Sequence, residues 1–506
     1  MKSVDLLLYE NDEANHGGGV NDFYIQDMGL ERLAEFLDLD SETYEIFMHA
    51  LQNPLKKAGK IKERQNILRD FLAYPGLAQK LKSICAEIKK NKSEPIKISV
   101  ENDKMSLCHT DIAGELLSML KHREFSSRAL VDLREQLDSK DKYELVFRRM
   151  DRIVEYCNEG KIALDIEYGS GFKFKSAEIR QNGAIPPEKP ENKTNNPVMA
   201  LFQKKAKSKK AEEIGSGFYY GDHFIVEGEI GEISNGAATY VMGAARELCR
   251  HILAFCASLS SQLSFYIACI EIIAFMERGG IKTAFPEICG GSSGIKAKNL
   301  CDFGLLLREN AGENCIVPNG FDDAENAWHL ISGANQGGKT TFLKSLGIAQ
   351  LFAQAGLKVP AESYMCPVFG NFFSHFPKDE DEDLNFGKLA EELMRIKRSM
   401  PQIADSALVL FNESFSTTTE TEGYEIASDI LRALSETKSK ILFVTHNYLL
   451  LQNRFELGKL LSNGAKIKSL IVAKDKNLPG QAYRIVEGEP QEDIETMDFV
   501  DSLKRP

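Results

Sequence analysis

The sequence predicts a multidomain α plus α/β protein. A helical core or lever region, interrupted by a small β-rich insertion, is expected to precede a P-loop α/β domain. In the stretch Ala327–Thr341, a glycine-rich turn separates an apolar strand pattern from a helical pattern. From about residue 297, short apolar runs alternate with helical patterns, which is typical of a parallel sheet wrapped by helices. Before that point, apolar residues recur mainly at helical spacing.

Composition places the chain among soluble proteins. Its 506 residues allow roughly two to four domains. The N-terminus lacks the basic and apolar regions of a signal peptide, and the ten cysteines form no CxxC pair, so reduced thiols and a cytoplasmic location are expected. The most apolar segment, Ile252–Phe275, contains several serines and Glu271, which favours a buried helix over a membrane span.

The net charge of −12 argues against a chain that coats nucleic acid over its whole surface. A local basic surface remains possible, because a lysine run follows a segment rich in Pro and Asn. Five lysines form this run: Lys204, Lys205, Lys207, Lys209 and Lys210. They could contact DNA phosphates or belong to a solvated tether.

The N-terminal half of the chain is predicted to be mostly helical. Residues 1 to about 125 contain helical patterns over Phe23–Phe36 and over 61–84, the second broken at Pro75-Gly76, and the pattern continues over Ile112–Cys157. Strand-like alternation then appears over Ala163–Ile179 and Gly217–Ile233. A long helix is predicted from about Ala237 to Glu277.

We therefore divide the chain into four parts. They are a helical core or lever (1–160), a small β-rich insertion (161–235), long lever helices (236–296) and the α/β domain (297–506). Within the α/β domain, strands are expected at 327–332, 407–411 and 440–445, and helices near 340–355, 388–400 and 421–437.

The glycine-rich turn has the spacing of a phosphate-binding loop. Gly333 is followed, after four residues, by Gly338-Lys339-Thr340, which matches G-x-x-x-x-G-K-[ST]. Backbone N–H groups of such a turn and the positive end of the next helix face an anion. Lys339 would add a positive charge for the β- and γ-phosphates, and the hydroxyl of Thr340 can hold Mg²⁺. The sequence therefore predicts nucleotide binding.

Two further strand ends carry polar groups. The apolar strand Ala407–Phe411 ends in Asn412-Glu413, where an acid can orient Mg²⁺ or an attacking water. A second strand ends in His446, which could reach a γ-phosphate. The acidic stretch Asp383–Ile396 enters a helix just before the first of these strands. It could reach a partner's nucleotide, or it could be an ordinary helix N-terminus with favourable acids.

Several segments in this order resemble the MutS family of DNA mismatch repair ATPases. They are Val317-Pro318-Asn319, the loop SGANQGGKTTFLKS, Val359-Pro360-Ala361, LVLFNESFSTTTETEG with its closing Gly423, and Phe443-Val444-Thr445-His446. The resemblance is detailed over about 300–490. The helical, inserted and long-helix order of residues 1–296 is similar, more weakly, to the lever and clamp regions of that family.

The resemblance implies ATP and Mg²⁺ as cofactors and DNA as a partner, held mainly through its backbone. The residues that would bind nucleotide are Asn319, Phe321, Gly333, Asn335, Gly337, Gly338, Lys339, Thr340 and Thr341. The metal would lie near Thr340, Asn412 and Glu413, and Glu413 and His446 would carry the catalytic roles. A homodimer with composite ATP sites and no membrane partner is expected.

The chain also departs from the family pattern. Asn412 stands where the family has Asp, Ser416 and Thr417 replace its Arg-Gly, and the signature serine before the helix is not evident near Gly387-Lys388-Leu389. The mismatch-reading and connector domains of the family are not found. We therefore expect an ATP-dependent DNA clamp or sensor that recognises DNA structure rather than single mismatches, with slow hydrolysis. A hydrolysis-poor scaffold that recruits proteins is the alternative, and a transporter-type ATPase is less consistent with these segments.

Overall fold

The computed structural model describes residues 5–8, 20–21, 23–90, 96–101, 104–109, 111–138, 151, 154–155, 163–168, 174–180, 217–220, 223–226, 230–290, 294–307, 316–323, 327–335, 337–377, 387–403, 406–474 and 483–490. These residues form two compact units. The first contains the described parts of Lys80–Arg123 and Asp132–Ser260. The second contains those of Asp5–Gln79, Glu124–Val131 and Ser261–Pro506. The four-part division made from the sequence stays a prediction.

The helices of the described residues occupy much of the N-terminal half and alternate with strands in the C-terminal half. They are α1 Tyr24–Met28, α2 Leu33–Phe36, α3 Ser41–Gln52, α4 Ala58–Ala73, α5 Leu77–Lys90, α6 Ile112–Leu120, α7 Arg128–Asp138, α8 Ile230–Arg278, α9 Lys339–Ala355, α10 Lys388–Ser399, α11 Glu420–Leu434, α12 Tyr448–Gln452 and α13 Arg454–Lys459. The break at Pro75-Gly76 and the helices of the α/β region agree with the sequence patterns.

The helical pattern over Phe23–Phe36 folds as two short helices rather than one. Helix α1 ends at Gly29, whose φ of 75° lies in the left-handed region that commonly terminates helices. A 3-10 turn over Leu30–Arg32 then leads into α2. The apolar residues Tyr24 and Leu33 are buried on either side of this turn. The helical spacing was therefore real, but it persisted across a glycine that redirects the backbone.

Sixteen strands of the described residues form four sheets. They are β1 Ile96–Glu101, β2 Lys104–His109, β3 Ala163–Tyr168, β4 Phe174–Arg180, β5 Gly217–Tyr220, β6 His223–Val226, β7 Glu287–Ile288, β8 Lys296–Leu300, β9 Asn319–Asp322, β10 Trp328–Ser332, β11 Ser363–Cys366, β12 Asn371–His375, β13 Ala407–Asn412, β14 Lys440–Val444, β15 Ile467–Lys474 and β16 Tyr483–Glu487. Of these, β1 to β6 belong to the first unit and the others to the second.

The first unit contains a hairpin that the sequence analysis missed. Strands β1 and β2 pair antiparallel inside a region predicted to be mostly helical. The period-two alternation of Ile96, Ile98 and Val100 is the strand signal that the surrounding helical patterns obscured. Strands β3 to β6 form one sheet in the order β4-β3-β5-β6. These four strands lie within residues 161–235, where the sequence analysis predicts a β-rich insertion.

Helix α8 confirms the long helix predicted after the insertion, and it begins earlier, at Ile230. In the second unit its side chains are core residues: Tyr266 is fully buried and packs against Phe71, and Phe265 stacks on Phe47. One helical stretch of the described residues, Arg246–Arg278, is long and apolar enough to cross a membrane by length and composition. Core helices of soluble proteins pass the same test when, as here, most of the stretch is buried.

The larger sheet of the second unit has the strand order β12-β13-β14-β10-β15-β16. Five neighbouring strands are parallel: β12, β13, β14, β10 and β15. Strand β16 pairs with β15 antiparallel. Every residue of β10, β13 and β14 is buried, as expected for central strands covered on both faces. Ile331, Val444 and Asn412 form one row across these three strands, so the strands end in register. A smaller sheet, in the order β7-β11-β8-β9, lies in the same unit.

Residues 20–79 pack on the α/β part of the second unit through polar as well as apolar contacts. The hydroxyl of Tyr24 donates to the carbonyl of Gly347 in α9 at 3.1 Å. The backbone N–H of Leu55 donates to the carbonyl of Gln354, and the Gln354 amide donates back to the carbonyl of Leu55, each at 3.1 Å. Buried Arg64 donates to the carbonyl of Ala355 at 3.2 Å. This helical segment therefore packs as part of the same core as the α/β elements.

The contact of α1 with α9 predicts that Gly347→Ala destabilises the second unit. A Cβ at Gly347 would lie 2.6 Å from the Met28 sulfur, 2.8 Å from Leu410 Cδ1 and 2.9 Å from the Tyr24 hydroxyl. Overpacking of this kind costs about 1–3 kcal/mol. Urea unfolding followed by the fluorescence of Trp328, the single tryptophan, measures the change.

Gly59→Ala in α4 is the matched control, because a Cβ there meets no atom within 4 Å. Its alanine is expected to be neutral or to stabilise the protein by up to about 1 kcal/mol. Equal unfolding midpoints for the two variants would contradict the close packing of α1 on α9.

Candidate functional site

The predicted phosphate loop lies between β10 and α9, as the sequence indicated. Gly333 has a φ of 126° and Gly338 a φ of 84°, so both occupy backbone conformations that favour glycine. Lys339 is the first residue of α9 and is buried. Its ammonium group donates to the carbonyls of Gly333 at 2.7 Å and Ala334 at 3.0 Å. The lysine charge is thus held directly over the turn.

Val472 on β15 explains why two of the loop positions carry glycine. A Cβ at Gly333 would lie 2.8 Å from Val472 Cβ, and one at Gly337 would lie 2.6 Å from Val472 Cγ1. Both distances are shorter than real carbon contacts allow. The neighbouring strand therefore fixes the path of the loop, a constraint that the loop sequence alone does not reveal.

Thr340 and Asn412, two of the predicted metal ligands, are in direct contact. The Thr340 hydroxyl donates to Asn412 Oδ1 at 2.8 Å, and Asn412 is buried at the end of β13. Hydroxyl and amide oxygens are ligands that suit Mg²⁺, so the donor set fits a hard cation. Asn412 contributes no negative charge, however, which leaves Glu413 as the nearest carboxylate in the chain sequence.

Glu413 and His446 also meet at this edge of the sheet. Glu413 Oε1 lies 3.3 Å from His446 Nε2, and both side chains are partly exposed. The pKa of the Glu413 carboxyl lies below its ordinary value, chiefly because of the hydrogen bond with His446, with a smaller contribution from the charge of Lys339. The carboxylate is therefore ionised at neutral pH and is near enough to Lys339 to interact with its charge.

The other predicted nucleotide contacts are more dispersed. Asn319 Oδ1 accepts a hydrogen bond from the backbone N–H of Ile485 at 2.9 Å, which ties β9 to β16. Phe321 is buried and packs edge-on against Phe342. Asn335 is exposed in the turn, and Thr341 is half-buried in the first turn of α9. Their contacts with a nucleotide stay predictions. The five lysines between 204 and 210 lie outside the described residues.

Two protein-family models match the sequence of this chain. The family model named MutS domain V matches residues 329–489, which contain the loop, β13 and His446. The model named MutS2 N-terminal domain matches residues 56–278. The chain belongs to the MutS family.

Relatives in this family include DNA mismatch repair protein MutS of Streptococcus gordonii, 30% identical over 170 residues, or 33% of this chain and 19% of the relative. Endonuclease MutS2 of Alkaliphilus oremlandii is 24% identical over 425 residues, or 82% of this chain and 49% of the relative. Endonuclease MutS2 of Thermus thermophilus is 36% identical over 124 residues, or 24% of this chain and 17% of the relative. The matches thus span half or less of these relatives.

In this MutS-family chain, helix α10 begins at Lys388, within the stretch Asp383–Ile396 that was predicted to enter a helix. Residues 383–386 lie outside the described part of the chain, so the reach of the acidic loop stays a prediction. The helix carries Glu392, whose Oε2 accepts a hydrogen bond from the backbone N–H of Phe415 at 3.1 Å. The sequence analysis did not single out Glu392. Its signal was weak, because one glutamate among several on an amphipathic helix has no distinctive spacing.

His375 is a second residue that the sequence analysis missed. It ends β12, is buried, and its Nδ1 lies 2.8 Å from the Ser414 hydroxyl in the loop after β13. Burial, together with the charge of Arg395, lowers the pKa of His375 to about 3. The imidazole is therefore neutral in the folded protein. It supports the loop next to Glu413 through its hydrogen bond with Ser414 rather than through a charge.

A neutral buried His375 predicts that stability falls with acidification. The folded pKa lies below the unfolded value of about 6.5, so the stabilisation is present above pH 6.5 and is lost as pH falls towards 3. This residue alone should cost about 2 kcal/mol of unfolding free energy between pH 7 and 5. Urea unfolding of His375→Asn should show a smaller loss over the same range.

Because the buried His329 is present in both proteins, the difference between the two pH profiles isolates His375. Parallel profiles would mean that folding does not lower the pKa of His375.

Proposed function

We propose that this chain is an ATP- and DNA-binding protein related to mismatch repair that acts as an ATP-dependent clamp or sensor of DNA structure. The proposal rests on the meeting of Lys339, Thr340, Asn412, Glu413 and His446 at one edge of the parallel sheet. It is supported by the names of relatives, one of which is a DNA mismatch repair protein. The endonuclease named in other relatives is not part of the proposal.

In this function, each residue has a role that its position supports. Lys339 would exchange its loop carbonyls for the β- and γ-phosphate oxygens, because its ammonium already lies over the turn. Thr340 and Asn412 would hold Mg²⁺, which when bound neutralises developing phosphate charge. Glu413 would orient and deprotonate the attacking water, and His446 would fix that carboxylate and sense the γ-phosphate.

Slow hydrolysis follows from the neutral side chain of Asn412. At an effective dielectric constant of roughly 20, a carboxylate and a unit positive charge about 4 Å apart attract by on the order of 4 kcal/mol. The amide of Asn412 lacks this attraction, so it holds a cation less tightly than a carboxylate would. Glu413 is ionised and keeps a route to hydrolysis open.

DNA would be held mainly through phosphate contacts, since the overall charge of −12 leaves only local basic segments for this purpose. The lysines between 204 and 210 are the candidates. We further propose a cytoplasmic homodimer in which each ATP site is completed by the partner copy.

Asn412 also favours a second function, a nucleotide-binding scaffold with little turnover that recruits other proteins. The two functions differ in one measurable property. A clamp couples ATP hydrolysis to DNA, whereas a scaffold binds ATP without DNA-stimulated turnover.

The first test is steady-state ATP hydrolysis with Mg²⁺, alone and with homoduplex, mismatched or branched DNA. We expect slow turnover that DNA stimulates. Asn412→Asp should raise the rate, because a carboxylate restores the charge that holds Mg²⁺. Lys339→Ala should abolish ATP binding, measured by titration calorimetry. Unchanged affinity in Lys339→Ala would refute the site.

Two other outcomes separate the alternatives. Turnover that appears only in Asn412→Asp would support the scaffold over the clamp. Absence of turnover in both proteins, with ATP still bound, would exclude ATP hydrolysis as the function.

The lysine run gives a separate prediction for DNA binding. Replacing the five lysines by glutamine should flatten the dependence of the DNA affinity on salt, because each lost phosphate contact reduces the log–log slope by about 0.9. Fluorescence anisotropy with a branched duplex at several salt concentrations measures this slope.

A control in which five exposed lysines elsewhere in the chain are neutralised should keep the wild-type slope; suitable positions are Lys57, Lys62, Lys80, Lys121 and Lys459. Equal slopes for wild type and the 204–210 variant would assign the run to a tether.

A further inference from the structure

The loop that carries Glu413 has an unusual backbone. Glu413 has a φ of 49° and Phe415 a φ of 64°, which places two residues other than glycine in the left-handed region within three positions. Such conformations persist only where surrounding contacts hold them. Because φ of Glu413 sets the direction of its own side chain, whatever holds this loop also aims the carboxylate.

Two contacts hold Phe415 in place, and a third holds its neighbour Ser414. The backbone N–H of Phe415 donates to Glu392 Oε2 on α10 at 3.1 Å. Its ring is buried and stacks on the imidazole of His375, with centroids 6.3 Å apart and an interplanar angle of 16°. The intervening Ser414 hydroxyl lies 2.8 Å from His375 Nδ1. His375 lies on the neighbouring strand β12, whereas Glu392 lies on helix α10. Of these partners, only Glu392 offers a carboxylate.

Helix α10 is itself anchored on the same face, one turn further along. Arg395 pairs with Asp27 at 2.9 and 3.1 Å and donates to the carbonyl of Phe376 at 2.8 Å. Its guanidinium also lies over the ring of Phe23, 4.0 Å from the centroid. Since residues 392 and 395 are three apart on a helix, the anchor fixes the height and rotation of Glu392. All of these residues belong to the second unit.

We propose that Glu392 is a positioning residue for Glu413: by accepting the N–H of Phe415, it holds the left-handed turn that aims the Glu413 carboxylate. Glu392 does not touch the reacting atoms. The inference rests on the proposed hydrolysis of ATP, in which Glu413 orients the water. Removal of the acceptor lets the turn relax towards ordinary backbone angles, and the carboxylate then moves away from its productive position.

The test compares Glu392→Ala with two other variants in steady-state ATP hydrolysis. Glu392→Gln keeps a carbonyl oxygen as acceptor, and Glu391→Ala removes the exposed neighbouring acid on the same helix. We expect Glu392→Ala to lower kcat roughly 10- to 100-fold, since small misplacements cost rates of that order. The KM for ATP should stay within about twofold, because binding is not affected. Glu392→Gln should recover most of the rate, and Glu391→Ala should match wild type.

Amide hydrogen exchange provides a second readout that does not depend on turnover. The peptide covering residues 411–418 should exchange faster in Glu392→Ala than in Glu392→Gln or wild type, because only the alanine variant loses the acceptor of the Phe415 N–H. Exchange of β10 should remain unchanged in all three proteins, which shows that the fold is retained.

The outcomes separate this inference from the proposed function. If wild-type turnover does not depend on Lys339, the hydrolysis proposal fails, and with it the positioning role, whatever the exchange shows. If turnover depends on Lys339 but Glu392→Ala equals Glu391→Ala in kcat, the positioning role alone is overturned. A raised KM with unchanged kcat, or unchanged exchange over 411–418, would overturn it as well.

Discussion

The candidate site depends on one constraint, the common register of three parallel strands. Ile331, Val444 and Asn412 form a row across β10, β14 and β13, so the residues that follow each strand emerge at the same edge. Two further backbone hydrogen bonds continue this row, from Thr445 N–H to the Ile331 carbonyl and from Glu413 N–H to the Val444 carbonyl. Groups that are distant in sequence are thereby held within hydrogen-bonding distance of one another.

The register is enforced by burial rather than by the polar groups themselves. The three strands are buried throughout, and a slip of one residue would move their apolar side chains and break the ladder. Helix α9 is buried along most of its length between this sheet and the N-terminal helical segment. The phosphate loop is consequently clamped at both ends, by β10 and by a helix that cannot rotate freely.

The same packing makes the N-terminal segment part of the site's support. Asp27 holds Arg395 on α10, and Glu392 on that helix reaches the loop after β13. In this way, the direction of the Glu413 carboxylate depends on contacts that other residues make, such as the hydrogen bond between Glu392 and Phe415. The direction of the Glu413 carboxylate matters more because the preceding residue, Asn412, is neutral and supplies no second carboxylate at the end of β13.

The sequence by itself determined the local elements around the site and predicted its chemistry. Glycines at 333 and 338, the lysine and threonine that follow, and the apolar runs before Asn412 and His446 have spacings that only a few structures satisfy. The same kind of reasoning did not reveal the break at Gly29 within the helical pattern over Phe23–Phe36, and it missed the hairpin of β1 and β2, because neighbouring helical periodicity masked a glycine and a short alternation.

Only the tertiary structure decided which distant residues support the site. Val472 forces glycine at two loop positions, and His375 and Glu392 hold a strained turn, yet none of the three has a distinctive pattern in the sequence. Their importance comes from contacts across 23 to 139 positions of the chain, which arise when strands and helices pack. Periodicity reports the face that a residue occupies on its own element, whereas the partner opposite that face is fixed by the fold.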